Sequence, residues 1–316
     1  MEYKRLGSTN LEVSRLCFGT LTIGPMQAKK SIEDGANIIV KAIEQGINFF
    51  DTAKLYNTYG YLRRAMEIMG KNDIIISSRS YDYTYDGMKE SINEALTELN
   101  LPYIDIFGLH EQESIYTLRG HSDALKCLID AKNSGLIKAI SLSTHNVSGV
   151  KAACDCPQID IIHPILNYKG IGIVDGGVKD MLNAIKTAKS KGKGIYSMKP
   201  IAGGNLIGHV KECFDFVLNN EDIDSTAVGM QSVNEVTANV LMFERKEVPD
   251  YIANDLRETK RRLLIDSWCE GCGACAKRCS SKALCIKDGK SQVNMELCRL
   301  CGYCSTVCPQ FCIKII

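Results

Sequence analysis

The chain has 316 residues and a nearly even charge balance, 38 Lys plus Arg against 37 Asp plus Glu. That balance gives no support for a nucleic-acid or membrane-surface binder, and no apolar run is long enough to span a bilayer. The opening Met1-Glu2-Tyr3-Lys4-Arg5 lacks the apolar stretch of a signal peptide, so the fifteen cysteines are expected in a reducing, cytoplasmic setting.

Length implies one large domain with a smaller one attached. An opening hairpin is expected from residues 3–6 and 11–13 around Gly7-Ser8-Thr9-Asn10. Short apolar, β-branched runs follow at 16–19, 48–51, 74–78, 104–109, 139–143, 159–164, 194–198 and 225–228. Amphipathic stretches at 36–44, 88–99, 124–133, 180–191 and 233–242 alternate with them. Continuous apolar strands separated by helices predict an α/β fold whose parallel sheet is covered on both faces or closed. Eight such strands favour a (β/α)₈ TIM barrel over 1–245, with the hairpin plugging its lower end. After Val248-Pro249 the polar stretch 251–265 reads as a linker helix within 246–266. There is no Walker A loop, and no G-x-G-x-x-G follows the first strand, so a nucleotide would not be held in the doubly wound manner.

In a barrel the chemistry collects at the C-terminal ends of the strands. Those ends carry Asp51, Arg79 and His110, and Tyr56 lies five residues past Asp51. An acid, a tyrosine, a permanent cation and a histidine are therefore expected at one mouth.

Residues 267–316 carry one cysteine pattern twice. Cys269-x-x-Cys272-x-x-Cys275-x-x-x-Cys279 recurs as Cys298-x-x-Cys301-x-x-Cys304-x-x-x-Cys308-Pro309, offset by 29 residues at every position. A cubane needs four thiolates; three closely spaced cysteines wrap three corners and a fourth must come from elsewhere. Zinc is the other metal reading of paired C-x-x-C, although zinc sites rarely use a repeated 3+1 run. The remaining seven cysteines show no ligand spacing and read as small buried hydrophobes.

This stretch resembles the two-cluster ferredoxins, with Ser280 where that family usually has proline. The resemblance implies a small α+β iron–sulfur domain with two [4Fe–4S] clusters. In that family the last cysteine of each motif crosses over. One cluster would then take Cys269, Cys272, Cys275 and Cys308, and the other Cys298, Cys301, Cys304 and Cys279.

The first 245 residues resemble the aldo-keto reductases. The segments that carry this are Leu6-Gly-Ser-Thr-Asn-Leu-Glu-Val-Ser14, Gly46-Ile-Asn-Phe-Phe-Asp-Thr-Ala-Lys-Leu-Tyr56, Tyr103-Ile-Asp-Ile-Phe-Gly-Leu-His110 and Val228-Gly-Met-Gln-Ser232. Ser141-Leu-Ser-Thr-His-Asn146 and Met198-Lys-Pro-Ile-Ala-Gly-Gly204 are similar to the subgroup with a C-terminal iron–sulfur domain. The resemblance implies an oxidoreductase that reduces a small-molecule carbonyl, or oxidises an alcohol, with NADP or NAD. Tyr56 would be the general acid, Asp51 the orienting carboxylate and His110 the carbonyl binder. Where the family has lysine this chain has Arg79, which keeps the charge but presents a planar fork and is not deprotonated. Cofactor positions implied by the motif are Gly19, Thr20, Ser143, His163, Gly229, Met230, Ser232, Glu235 and Asn239. Gln231 stands where members often have a cation for the 2′-phosphate.

Two alternatives use the same residues. One is a ferredoxin-like electron carrier, with a redox partner protein, whose barrel has lost reductase activity. The other is a substrate reduced by electrons from the clusters without nicotinamide. Hydride moves two electrons together and a cubane moves one, and no flavin fingerprint supplies a converter.

Overall fold

The computed structural model describes residues 1–70 and 73–316. The hairpin strands β1 (Tyr3–Arg5) and β2 (Glu12–Ser14) pair antiparallel. Eight parallel strands then close a barrel: β3 (Leu16–Gly19), β4 (Phe49–Asp51), β5 (Ile75–Ser80), β6 (Ile104–Leu109), β7 (Ile137–Thr144), β8 (Ile161–Pro164), β9 (Gly194–Met198) and β10 (Ser225–Gly229). β10 pairs with β3, which completes the ring.

The pleat sorts side chains into two cores. Inside the ring Cys17, Phe49, Ile106, Ala139, Ile161, Tyr196 and Ala227 pack with Leu6, Leu11 and Val13 of the hairpin region, so the hairpin fills the barrel from below. Gly7, with φ +58°, makes that approach possible: a Cβ there would sit 2.2 Å from the Gly194 amide nitrogen. Outside the ring, helices such as Ile32–Glu44, Tyr85–Leu99 and Val233–Phe243 cover the sheet. Each starts at a hydroxyl cap: Ser31, Thr84 and Ser232 accept amide hydrogens from the first turn. The first two helices therefore begin four and three residues before the amphipathic runs at 36 and 88.

The expected linker helix is shorter than the sequence suggested. It spans Asp250–Glu258, and β11 (Leu263–Ile265) is extended. β11 pairs antiparallel with β14 (Ile313–Ile315), in the register Leu263↔Ile315. Burial against Cys269, Cys312 and Ile313 favours a strand for Leu263-Leu264-Ile265 and draws it into the cysteine-bearing lobe. A hairpin of β12 (Leu284–Lys287) and β13 (Lys290–Val293) completes this lobe.

The lobe rests on the loop after β9. The Ile315 amide donates to the Gly203 carbonyl at 3.0 Å, and Asn205 Nδ2 donates to the Ile313 carbonyl at 3.0 Å. Gly204 has φ +83°, and a Cβ there would meet the Ile315 carbonyl oxygen at 2.0 Å. Gly204→Val is therefore expected to cost about 1–3 kcal/mol at this contact and leave the barrel folded. Faster proteolysis at 246–262 with an unchanged barrel melting transition checks this; unchanged proteolysis counts against the contact.

Candidate active site and cluster-binding lobe

Asp51 ends β4, Arg79 lies near the end of β5, and Tyr56 sits in the short helical turn Lys54–Tyr56 beyond β4. Parallel pairing of β4 with β5 brings the first two side by side. Arg79 Nη1 and Nη2 donate to Asp51 Oδ1 and Oδ2 at 2.5 and 3.1 Å, a two-point fork. Nη2 also donates to the Tyr56 hydroxyl at 2.9 Å, and Nη1 to the Thr52 carbonyl at 3.1 Å. Arg79 is 2 % exposed and Asp51 4 %. Tyr196 OH donates to Asp51 Oδ1 at 3.1 Å, and His163 Nε2 lies 3.6 Å from the same oxygen.

Charge and burial oppose one another here. Burial pushes the Asp51 carboxyl up, but Arg79, His163 and the hydrogen bonds hold it below its ordinary value. Burial pushes Arg79 down, and Asp51 with the two tyrosines more than restores it. Burial pushes the Tyr56 phenol up, and Arg79 offsets only part of that. The phenol therefore holds its proton more tightly than an exposed tyrosine, although a guanidinium touches it.

His110 follows β6 and lies beside Tyr56, with ring centroids 5.8 Å apart. Tyr81 stacks on its other side at 4.1 Å. Burial, then Arg79 and Lys199, keep His110 neutral, and its buried Nδ1 has no partner among the described residues. His163 donates through Nδ1 to the Tyr196 carbonyl at 2.7 Å, and burial pushes it down to about 3 against the pull of Asp51. An imidazole buried neutral makes the unfolded chain the greater proton binder below about pH 6.5. Stability is thus complete above that value and falls on acidification toward pH 3, by about 1.4 kcal/mol per pH unit for His163 alone. A denaturant midpoint equal at about pH 7.5 and pH 5 would contradict it.

A cavity of about 580 Å³ opens over this group, a size suited to a small molecule or part of a cofactor. Gly19, Asp51, Tyr56, Arg79, His163, Gly229, Glu235 and Asn239 line it; Thr20, His110, Ser143, Met230 and Ser232 do not, His110 standing behind Tyr56. Thr20 is buried and gives its hydroxyl to the Asp51 carbonyl at 3.0 Å. Ser143 Oγ accepts from the Glu111 amide at 2.9 Å, and Met230 is fully buried. Ser232 Oγ caps the helix at the Glu235 amide, while Glu235 Oε2 accepts from the Gln231 amide at 2.6 Å. The helix start thus already uses its own carboxylate.

Sequence reading missed the far wall. Lys199, Arg257, Arg261, Leu300, Lys314, Ile315 and Ile316 also line the cavity. Lys199 was legible, because it follows the end of β9. The others come from the C-terminal lobe and its approach, and nothing in their local sequence points to the barrel mouth.

The cysteines gather in two sets. Cys269, Cys272, Cys275 and Cys308 line one cavity, and Cys279, Cys298, Cys301 and Cys304 line another. Among the described residues no three His, Cys, Asp or Glu close on a single point like a one-metal site; each set of four thiols borders a space instead. Amides of Gly271 and Ser291 point at Cys269 Sγ, each at 3.4 Å, and the Ala283 amide at Cys279 Sγ at 3.3 Å. Burial pushes Cys269 up, but those donors outweigh it and hold the thiol below its ordinary value. Donor type, number and the aimed amides fit an anionic iron–sulfur cluster in each space. Cys312, expected to be inert, lies with its sulfur 3.4 Å from that of Cys308.

A model of the aldo/keto reductase family matches residues 15–216, and a model of a 4Fe-4S binding domain matches residues 291–314. The chain is 26 % identical to L-galactose dehydrogenase of Arabidopsis thaliana over 282 residues, covering 76 % of this chain and 87 % of that protein. A solved Pseudomonas aeruginosa protein assigned as an aldo-keto reductase superposes with TM-score 0.66 at 23 % identity, over 77 % of this chain and 94 % of that one. An aldo-keto reductase of Bacillus halodurans superposes with TM-score 0.64 at 20 % identity, over 82 % and 96 %. These two likenesses show the shared barrel fold.

Proposed function

Since the chain belongs to the aldo/keto reductase family and carries a 4Fe-4S binding domain, we propose that it interconverts a small-molecule carbonyl and its alcohol at the Asp51–Arg79–Tyr56 group. The observation that carries this reading is the Tyr56 hydroxyl, which meets the Arg79 fork at 2.9 Å on the wall of the barrel-mouth cavity. When bound, NAD(P)H supplies a hydride and a [4Fe–4S] cluster supplies electrons singly.

The chain's own residues handle the proton and the charge. The Tyr56 phenol donates its proton to the carbonyl oxygen as negative charge develops there. The phenolate left behind faces the Arg79 guanidinium, which is held in place by Asp51, so stabilising it requires no reorganisation. A guanidinium keeps its own protons. Arg79 therefore stabilises charge without relaying a proton, and Tyr56 recovers its proton from water entering the cavity. His110, neutral and adjacent, orients the carbonyl. Cys269, Cys272, Cys275 and Cys308 would hold one cluster, and Cys279, Cys298, Cys301 and Cys304 the other, giving about eight irons per chain. Arg257 and Arg261 stand on the wall shared with Gln231, Glu235 and Asn239; Arg257 offers a cation to a nucleotide phosphate, while Arg261 faces Glu235 at 3.8 Å.

A second reading is reduction by the clusters alone. It is favoured by Glu235, whose carboxylate takes the Gln231 amide and so occupies the helix start where an anion would sit. Anaerobic titration of the iron-loaded protein with NADPH and with NADH separates the two. Saturable quenching of protein fluorescence by either supports the first; no binding of either removes the nicotinamide and leaves the second.

A further inference from the structure

Of the basic residues on the cavity wall outside the Tyr56 group, Lys199 stands apart. Lys199 directly follows β9, where its backbone takes φ +58°, a conformation rarely adopted by a side-chain-bearing residue. Its Nζ lies 2.6 Å from His145 Nε2, a residue from the end of β7. The Phe311 ring of the C-terminal lobe stands 5.2 Å away and also packs against His145. Arg79 has Asp51 and Lys314 has Asp266 at 3.6 Å, but no carboxylate lies within ion-pair distance of Lys199 among the described residues.

We propose that Lys199 is a nucleophilic amine that forms an imine with carbonyl compounds entering the cavity at the barrel mouth, with His145 as its proton acceptor. A lysine becomes a nucleophile when it is held unprotonated, by burial or by a second cation nearby. Both conditions bear on Lys199, whose side chain is half-buried. Burial first, and then the ammonium of Lys314 on β14, bring Lys199 down to about 7. The other charged groups facing it are Glu111 beyond β6 and Asp266 before the first cysteine motif, which act upward, and Arg79 on β5, which acts downward. Burial and the flanking lysines keep His145 neutral and able to accept a proton.

The step balances without an external reagent. The Lys199 nitrogen lone pair attacks the carbonyl carbon, forming C–N as the π pair moves to oxygen. His145 Nε2 carries two protons in turn from nitrogen to that oxygen, the first making it a hydroxyl and the second making it water. The C–O bond then breaks, water leaves and C=N forms, with no change in oxidation state. A captured carbonyl would be held in the cavity that Tyr56 also lines. The proposal rests on the reading that this cavity admits carbonyl compounds, but it does not need Tyr56.

The test uses the anaerobic iron-loaded chain with butanal and cyanoborohydride at about pH 7, which turns an imine into a stable alkyl adduct. A lysine near 7 is about half unprotonated there, against a roughly thousandfold smaller fraction for an exposed lysine. The expected result is a first adduct on the peptide containing Lys199, found by mass spectrometry, and the same adduct in Tyr56→Phe. Lys314→Met should slow its formation several-fold by removing the neighbouring cation. Labelling spread over surface lysines, with Lys199 no faster than the rest, would overturn the proposal. So would a Lys199 adduct in the wild type that forms equally fast after His145→Gln and after Lys314→Met. Loss of turnover in Tyr56→Phe with the adduct retained separates the two readings.

Discussion

Tyr56→Phe is expected to lower kcat for a carbonyl probe by about 10²–10⁴-fold, the range for removing a positioned general acid. The change deletes one oxygen and leaves the ring against His110 and Arg79. The fold should therefore be intact by circular dichroism, and KM should rise less than kcat falls. In the structure the phenol is above its ordinary pKa, with burial outweighing Arg79. Turnover in the reduction direction should accordingly not fall off below the ordinary tyrosine range. Turnover within a few-fold of wild type would remove Tyr56 from the acid role and favour cluster-fed reduction.

The second large effect is on stability. Arg79→Met should cost about 3–5 kcal/mol, because the Asp51 carboxylate would stay buried with only Tyr196 and the neutral His163 near it. Replacing both members, Arg79→Met with Asp51→Leu, should recover much of that loss, since a buried ion pair is close to neutral against apolar groups of similar volume. Denaturant melts of the two single variants and the double variant give the coupling directly. Additive single effects would mean that the fork at 2.5 and 3.1 Å does not act as one unit. All three variants should be inactive, so the site keeps this pair for its charge rather than for net stability.

Much of this was legible from local pattern. The eight strands follow from apolar runs that a parallel sheet buries on both faces, and the strand ends then name Asp51, Arg79 and His110. What pattern could not supply was electrostatic balance: Arg79 beside Tyr56 would by itself lower the phenol, and burial reverses the sign. The apolar periodicity begins after the true helix starts at Ile32 and Tyr85, because the caps at Ser31 and Thr84 are polar and precede it. Residues 263–265 were read as helix because their partner, β14, lies about fifty residues on, and no local signal reports such a pairing. The same distance hid Arg261 and Lys314 from any reading of the barrel mouth.

The docking of Ile313–Ile315 against Gly203 and Asn205 has an evolutionary consequence. Because one lobe completes the wall of the other's cavity, the two cannot diverge as independent modules. A substitution that tunes the cysteine-bearing lobe also reshapes what the barrel can admit. Recombination that exchanges this lobe between related chains would change substrate range together with redox properties. Selection for either trait therefore acts on both, and chains of this architecture should drift in step across the seam rather than one lobe at a time.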